Sequence, residues 1–433
     1  MANEKTERTL LINGRILDPS TGLDERGGLL IENGVIIDVG AHLNKLKPGV
    51  DIEVRDCKGA VIAPGLVDMR VFVGEPGEEH RETLRTAGEA AAAGGITTII
   101  CMPDTKPPLD DVASIDFIKR RARDRSVVRV HPMAALTKGC AGKEMTEFGL
   151  LKEVGAIAYT DGARAVMNAQ VLRRALNYGR MFDALIVQFC EDPDLVGEGV
   201  MNEGEYAARL GLHGVPHAAE TVVLERDMRI LAMSGGRYHA ALVSCTDSLE
   251  VLRRAKQAGL PVTAGVSINS LTFNDNDIGP YRTFFKLTPP LRSEDQRLAL
   301  VAALAEGLID VVVSDHNPQD VETKRLTFAE AANGAAGLET MLAAGIRLVQ
   351  EGQISLIRLI EAMSTKPSHI LGLPGGKLTV GSPADVIVFD PEEPWVCDPA
   401  KLRGRSKNTP FDGAKMTGRV HTTIVGGKVV FNR

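Results

Sequence analysis

At 433 residues, with 44% hydrophobic and 24% charged side chains and a formal net charge of −6, the chain has the composition of a globular protein with room for a sizeable core. The mild acidity excludes a general nucleic-acid binder, which needs a basic excess or a Lys/Arg stripe, and no apolar run approaches the roughly 20 residues of a membrane span. Six scattered cysteines without a CxxC pair point to reduced thiols, and a polar opening without an apolar signal region, Met1-Ala-Asn-Glu-Lys-Thr-Glu-Arg8, points to the cytoplasm.

Residues 1–60 read as short strands with turn signals. Thr9-Leu-Leu-Ile-Asn-Gly-Arg-Ile-Leu17 and Gly28-Leu-Leu-Ile-Glu-Asn-Gly-Val-Ile-Ile-Asp-Val39 each carry Asn-Gly between apolar runs, a hairpin signature. Next come β-branched runs alternating with Ala/Leu-rich helical stretches, at 61–73, 96–103, 128–136, 156–161, 184–191, 237–244, 261–267 and 309–315. Eight such units over about 300 residues predict a closed (β/α)8 TIM barrel over 61–375, with any active residues at the strand C-termini. The strand style of the start returns in Ala384-Asp-Val-Ile-Val-Phe-Asp390 and Thr422-Thr-Ile-Val-Gly-Gly-Lys-Val-Val-Phe431. Residues 1–60 plus 376–433 are therefore expected to form one small composite β-sandwich module beside the barrel.

The strand ends hold the candidate chemistry. Strand one closes on Asp68-Met-Arg70-Val-Phe72-Val-Gly74, strand two on Cys101-Met-Pro-Asp104, and strand four on Tyr159-Thr-Asp161-Gly162. Strand five ends Phe189-Cys-Glu191-Asp192, where the acidic pair reads as a cap for the segment that follows. Strand six contains His239, and a lone histidine in an apolar strand is more often a satisfied core residue than a ligand. Strand eight ends Ser314-Asp315-His316, and Asp315 fits a metal ligand or general base as readily as a helix cap or the partner of a cation.

As a zinc set, Asp68, Asp104, Asp161 and Asp315 with the dispersed His80, His239 and His316 are poor, because catalytic zinc commonly takes three protein ligands in close register. Carboxylates alone suit magnesium or manganese better, usually with help from a substrate phosphate. Gly375-Gly-Lys377 and Gly426-Gly-Lys428 read as turns, not phosphate loops.

Ordered segments along nearly the whole chain resemble the dihydroorotases of the cyclic amidohydrolase superfamily. They are Ile62-Ala-Pro-Gly-Leu-Val-Asp68, Glu75-Pro-Gly77, Gly94-Gly-Ile-Thr-Thr98, Cys101-Met-Pro103, Cys190-Glu-Asp-Pro193, Asn202-Glu-Gly-Glu-Tyr206, Pro289-Pro-Leu-Arg292, Ser314-Asp-His316 and Gly337-Leu-Glu-Thr340. The resemblance implies a metal centre held by His-x-His on strand one and by histidines on strands five and six. Those places hold Arg70, Phe72, Phe189 and Leu242, none of which offers a lone pair to a cation. Of the family's metal-site carboxylates, Asp315 survives clearly and Asp161 remains a candidate, the strand-four segment having lost one aspartate. The substrate-contact positions change too: Gly74 stands for an arginine, Asp104 and Thr288 for asparagines, and His316 completes the expected pocket remnant.

These replacements predict a pocket filled by Phe72, Phe189 and Leu242. Because strands one and eight are neighbours in a closed barrel, they also predict an Arg70–Asp315 ion pair in place of a metal. No cofactor is then expected. The function this implies is a non-catalytic member of pyrimidine biosynthesis, in a homo- or hetero-oligomer with aspartate transcarbamoylase, with Asp315 a vestigial acid/base. Two alternatives stay open: an active zinc-dependent cyclic amide hydrolase rearranged around Asp68, Asp161, His239 and Asp315, and a small-molecule sensor using Arg70 and Asp104.

Overall fold

The computed structural model describes residues 7–46, 49 and 51–433. Most of the polar opening, residues 1–6, lies outside the described residues. Eight parallel strands form the barrel: Leu66–Val71, Ile96–Cys101, Arg129–Pro132 continuing as Ala134–Ala135, Tyr159–Thr160, Leu185–Gln188, Arg237–Ala240, Val262–Ser267 and Val311–Val313. The ring closes where Val71 bridges His316 and the Phe72 N–H donates to the His316 carbonyl at 2.8 Å. Each expected β-branched run contains one of these strands, although the hydrogen-bonded parts are shorter. Helices cover the outer face, so strands such as Ile96–Cys101 are buried at every residue.

Inside the barrel, Val67, Met69, Ile100, Met133, Leu185, Val187, Val311 and Val313 form a packed core. Between strands and helices lies a second, larger core to which the Ala-rich helix Leu84–Ala93 contributes. That helix begins with a reciprocal cap between Thr83 and Thr86 and ends at Gly94. A side chain at Gly94 would meet the Leu338 carbonyl oxygen at 2.1 Å, so the close approach of the two segments requires glycine.

The chain ends pair into one sheet of eight strands. Its order is Lys428–Asn432, Lys415–Val425, Val386–Val396, Val61–Pro64, Arg8–Asp18, Leu23–Glu32 and Val35–Gly40, with Ile52–Asp56 also pairing Arg8–Asp18. The two leaves of the expected sandwich are thus hydrogen-bonded into one continuous sheet around Leu11, Ile16, Leu29, Ile62, Val386 and Ile424. Val61–Pro64, expected at the start of the barrel, belongs to this sheet, because it pairs with Val386–Phe389 and with Arg15–Ile16.

The two Asn-Gly pairs differ. Asn33-Gly34 (φ 48° and 81°) turns a hairpin between Leu23–Glu32 and Val35–Gly40. Asn13-Gly14 instead makes a bulge inside the unbroken strand Arg8–Asp18, since Leu11 and Gly14 bracket a register shift.

Segment 402–411 returns from the sheet across the barrel. The Arg405 N–H donates to Glu82 at 3.0 Å, Asn408 accepts from Gln319 N–H at 2.9 Å, and the Asn408 amide donates to the Gly334 carbonyl at 3.0 Å. It thereby ties together the loops that follow strands one and eight. All six cysteines are buried and unpaired, and no helix of the described residues is long and apolar enough to cross a membrane.

Candidate functional site: a barrel mouth closed by an ion pair

At the C-terminal ends of strands one and eight, Arg70 Nε stands 3.2 Å from Asp315 Oδ1, and both side chains are only 11% exposed. The pairing expected from strand adjacency is present. Asp315 has φ 52°, a left-handed conformation uncommon for a residue with a Cβ. The neighbouring His316 N–H donates to Ser314 Oγ at 3.1 Å, which holds the turn. Burial pushes the Asp315 carboxyl up to about 6, while the Arg70 charge pulls it back.

Beneath the pair, the fully buried Asp68 accepts the backbone N–H of Arg70 at 3.2 Å and that of Ser314 at 3.3 Å. Burial raises its carboxyl to about 7. Arg70 Nη1 is buried without a hydrogen-bond partner among the described residues, and the guanidinium carbon lies 5.4 Å from the Phe189 ring centroid.

Apolar side chains complete the closure. Phe189 (1% exposed) and Leu242 (2%) belong to the barrel's inner core, whereas Phe72 (6%), expected to fill the mouth with them, is buried outside that cluster. Arg81 lies over Phe72, its guanidinium carbon 3.9 Å from the ring centroid. It is fixed by the Pro318 carbonyl at 3.0 Å, Glu78 at 2.7 Å and Asn317 at 2.6 Å. Gly74 (φ 66°) cannot regain a side chain on this backbone, since a Cβ would come within 2.5 Å of the Glu78 carbonyl oxygen.

Other candidates are committed elsewhere. Asp161 does not face a cation. It accepts the Thr137 N–H at 2.8 Å and the Thr137 hydroxyl, and Thr137 Oγ1 in turn accepts the Gly142 N–H at 2.7 Å, so this carboxylate locks a turn. His316, expected in the pocket remnant, is 2% exposed. It accepts the Gly337 N–H on Nδ1 at 3.2 Å and turns Nε2 toward buried Glu82 at 3.5 Å. The Thr288 hydroxyl donates to Glu191 at 3.2 Å. His239 is a core histidine bonded to the Thr263 hydroxyl at 2.8 Å, and burial lowers it to about 4, so it is neutral at physiological pH. Asp192 caps the short helix Pro193–Val196, as the turn chemistry suggested.

Asp104 does face the mouth. It packs on Gly162, Arg70 offsets part of the burial that raises its carboxyl, and its Oδ1 is buried without a partner among the described residues.

One buried constellation was not read from the sequence. Glu220 accepts the Ser244 N–H at 3.0 Å, and Arg292 donates to Ser244 Oγ at 3.1 Å, to Asn202 at 3.1 Å and to the Val215 carbonyl at 2.8 Å. Asn202 donates onward to Asp275 at 3.0 Å. Asn202 and Arg292 both stand in the segments that carry the family resemblance, which was the available signal. Their contact across 90 residues of chain was not legible.

The chain matches the family model described as dihydro-orotase-like over residues 59–248 and that of the amidohydrolase family over 196–430. It is 41% identical to a protein named dihydroorotase from Pelobacter propionicus over 424 residues, covering 98% of this chain and 99% of that one. The dihydroorotase of Syntrophus aciditrophicus is equally similar, at 41% with the same coverage. Among solved structures, the L-hydantoinase of Arthrobacter aurescens superposes with a TM-score of 0.88 at 26% identity, covering 98% of this chain and 96% of that one. A D-hydantoinase from Thermus sp. shares the fold at a TM-score of 0.83 and 24% identity, covering 98% of this chain and 95% of that one.

Proposed function

Because this chain belongs to the dihydroorotase family of amidohydrolases, we propose that it is a pyrimidine-pathway member whose own ring-opening site is closed, serving as a structural partner of aspartate transcarbamoylase in a cytoplasmic oligomer. The observation that carries this reading is the Arg70–Asp315 pair, 3.2 Å apart, standing where the resemblance puts two ligands of the metal. Zinc is the metal expected of the family, and these residues do not fit it. Arg70, Phe72, Phe189 and Leu242 supply no lone pair, and the surviving carboxylate already faces a fixed cation. No hydrolytic step is therefore assigned to Asp315, and no cofactor is proposed.

A folded barrel with a filled mouth can still present a partner surface, which is the role left to it. Co-expression with aspartate transcarbamoylase followed by sizing tests this directly. A stable complex of defined stoichiometry is expected, and separate elution at every ratio would overturn the partnership.

The second reading is an active hydrolase of a cyclic amide, favoured by relatives 41% identical that are named dihydroorotase. It requires Asp68, Asp161, His239 and Asp315 to converge on a metal. Asp161 and His239 are instead bonded to Thr137 and Thr263, so that reading needs both contacts to break.

A further inference from the structure

At the seam between the terminal sheet and the barrel helices lies a cavity of about 100 Å³, lined by Glu339, Leu342, Trp395, Leu402, Arg419 and Arg433 among others. It exceeds the space needed for one water and falls short of the roughly 300–1,000 Å³ of drug-sized ligand pockets, so only a small molecule fits.

Its charges are unusual. Arg419 donates through Nη1 to Glu393 at 3.1 Å, but its Nε is buried with no partner among the described residues. Arg433 donates to the Val420 carbonyl at 3.3 Å, and burial with the nearby Arg419 and Arg403 lowers its affinity for a proton, against a smaller opposing pull from Glu393 and Glu339. The Arg403 and Arg433 guanidinium carbons lie 5.1 and 5.5 Å from the centroid of the same ring, Phe431. The Arg419 guanidinium carbon lies 5.8 Å from the Trp395 ring, which is itself fixed by a 2.9 Å bond from its indole N–H to the Gly418 carbonyl.

Arg419 and Arg433 thus line a partly enclosed cavity of mixed polarity, with Arg403 next to Arg433 at the Phe431 ring. Like charges so placed repel one another, and an anion lodged between them would offset that repulsion and give the free Arg419 Nε an acceptor. Two carboxylates also line the cavity: Asp398 faces Lys401 at 3.5 Å, and Glu339 opposes an anion only in part. Its Oε1 already accepts the Arg403 and Gly404 N–H groups, and burial raises the carboxyl to about 7.

We propose that this cavity binds a small organic oxyanion, with its carboxylate or phosphate against Arg419 and Arg433 and its body against Trp395. The site shares no residue with the barrel mouth, so it stands or falls independently of the function proposed above.

Trp395 is the chain's sole tryptophan, so its emission reports directly on the cavity. The intact protein is titrated with benzoate, phenyl phosphate and, as the uncharged counterpart, benzyl alcohol at constant ionic strength. Saturable change with benzoate or phenyl phosphate and none with benzyl alcohol is expected, the two anions telling a carboxylate site from a phosphate site. Arg419→Gln and Arg433→Ala should each weaken binding about tenfold, the change in affinity worth ~1.4 kcal/mol. Their unliganded circular dichroism and melting temperature establish that each variant is folded, and if Arg419→Gln does not fold, Arg433→Ala carries the test. Absence of saturation, an equal response to benzyl alcohol, or unchanged affinity in the folded variants would overturn the proposal.

Discussion

Two halves of the barrel mouth handle buried charge differently. On the side of strands one and eight, Arg70, Asp68, Asp104 and Asp315 lie close together, yet Arg70 Nη1 and Asp104 Oδ1 have no partners and burial holds the Asp68 and Asp315 carboxyls up to about 7 and about 6. On the side of strands five to seven, Glu220, Ser244, Arg292, Asn202 and Asp275 form an unbroken chain of hydrogen bonds. Along that chain donors meet acceptors, although Asn269, just after strand seven, is buried with its amide N and O unpartnered among the described residues. The first half is centred on Arg70, and its polarity is only partly satisfied. Burying charge stabilises a fold only when hydrogen bonds replace the lost water, so the two halves should respond differently to substitution.

The sharpest contrast should come from Arg292→Leu. It leaves Ser244 Oγ, Asn202 and the Val215 carbonyl without their buried donor, and the expected loss is about 3–5 kcal/mol in urea unfolding. Arg70→Leu should cost less, about 1–3 kcal/mol at neutral pH, because Asp315 can take up a proton instead of remaining charged and unpaired. Arg70→Leu combined with Asp315→Leu should recover most of that loss, since removing both partners of a buried pair is often close to neutral. Equal losses for Arg292→Leu and Arg70→Leu would erase the distinction between the halves.

The pH dependence offers a further test. The ordinary aspartate value is 3.8, and folding raises Asp68 to about 7, so the folded protein binds this proton more tightly than the unfolded chain does. The stability linked to Asp68 is therefore fully present below about pH 4 and is lost as pH rises toward 7. Asp68→Asn should flatten the fall in stability across that window. A wild-type profile that coincides with that of the variant would show that Asp68 does not titrate as described.

Much of this was legible in the sequence where the argument depended on local pattern or strand adjacency. The eight β-branched runs predicted the barrel, and neighbouring strands one and eight predicted that Arg70 meets Asp315. The apolar replacements Phe189 and Leu242 were expected to fill space, and both are buried in the inner core. What sequence reading missed depends on partners brought in from a distance. Asp161 looked like a free carboxylate because Thr137 lies in the preceding loop, and His316 looked like a pocket residue because Glu82 is far away in the chain. The bulge at Asn13-Gly14 carries the same residues as the hairpin at Asn33-Gly34. Only the strands flanking each pair decide between the two outcomes.

The central claim is that the mouth holds an arginine–aspartate pair in place of a metal centre, and one measurement addresses it most directly. Metal content of the purified, zinc-supplemented protein is determined alongside ring opening of dihydroorotate, for the native chain and for Asp315→Asn. The account predicts substoichiometric zinc, turnover at background and no difference between the two proteins. Stoichiometric zinc with turnover in the native chain, both lost in Asp315→Asn, would contradict it.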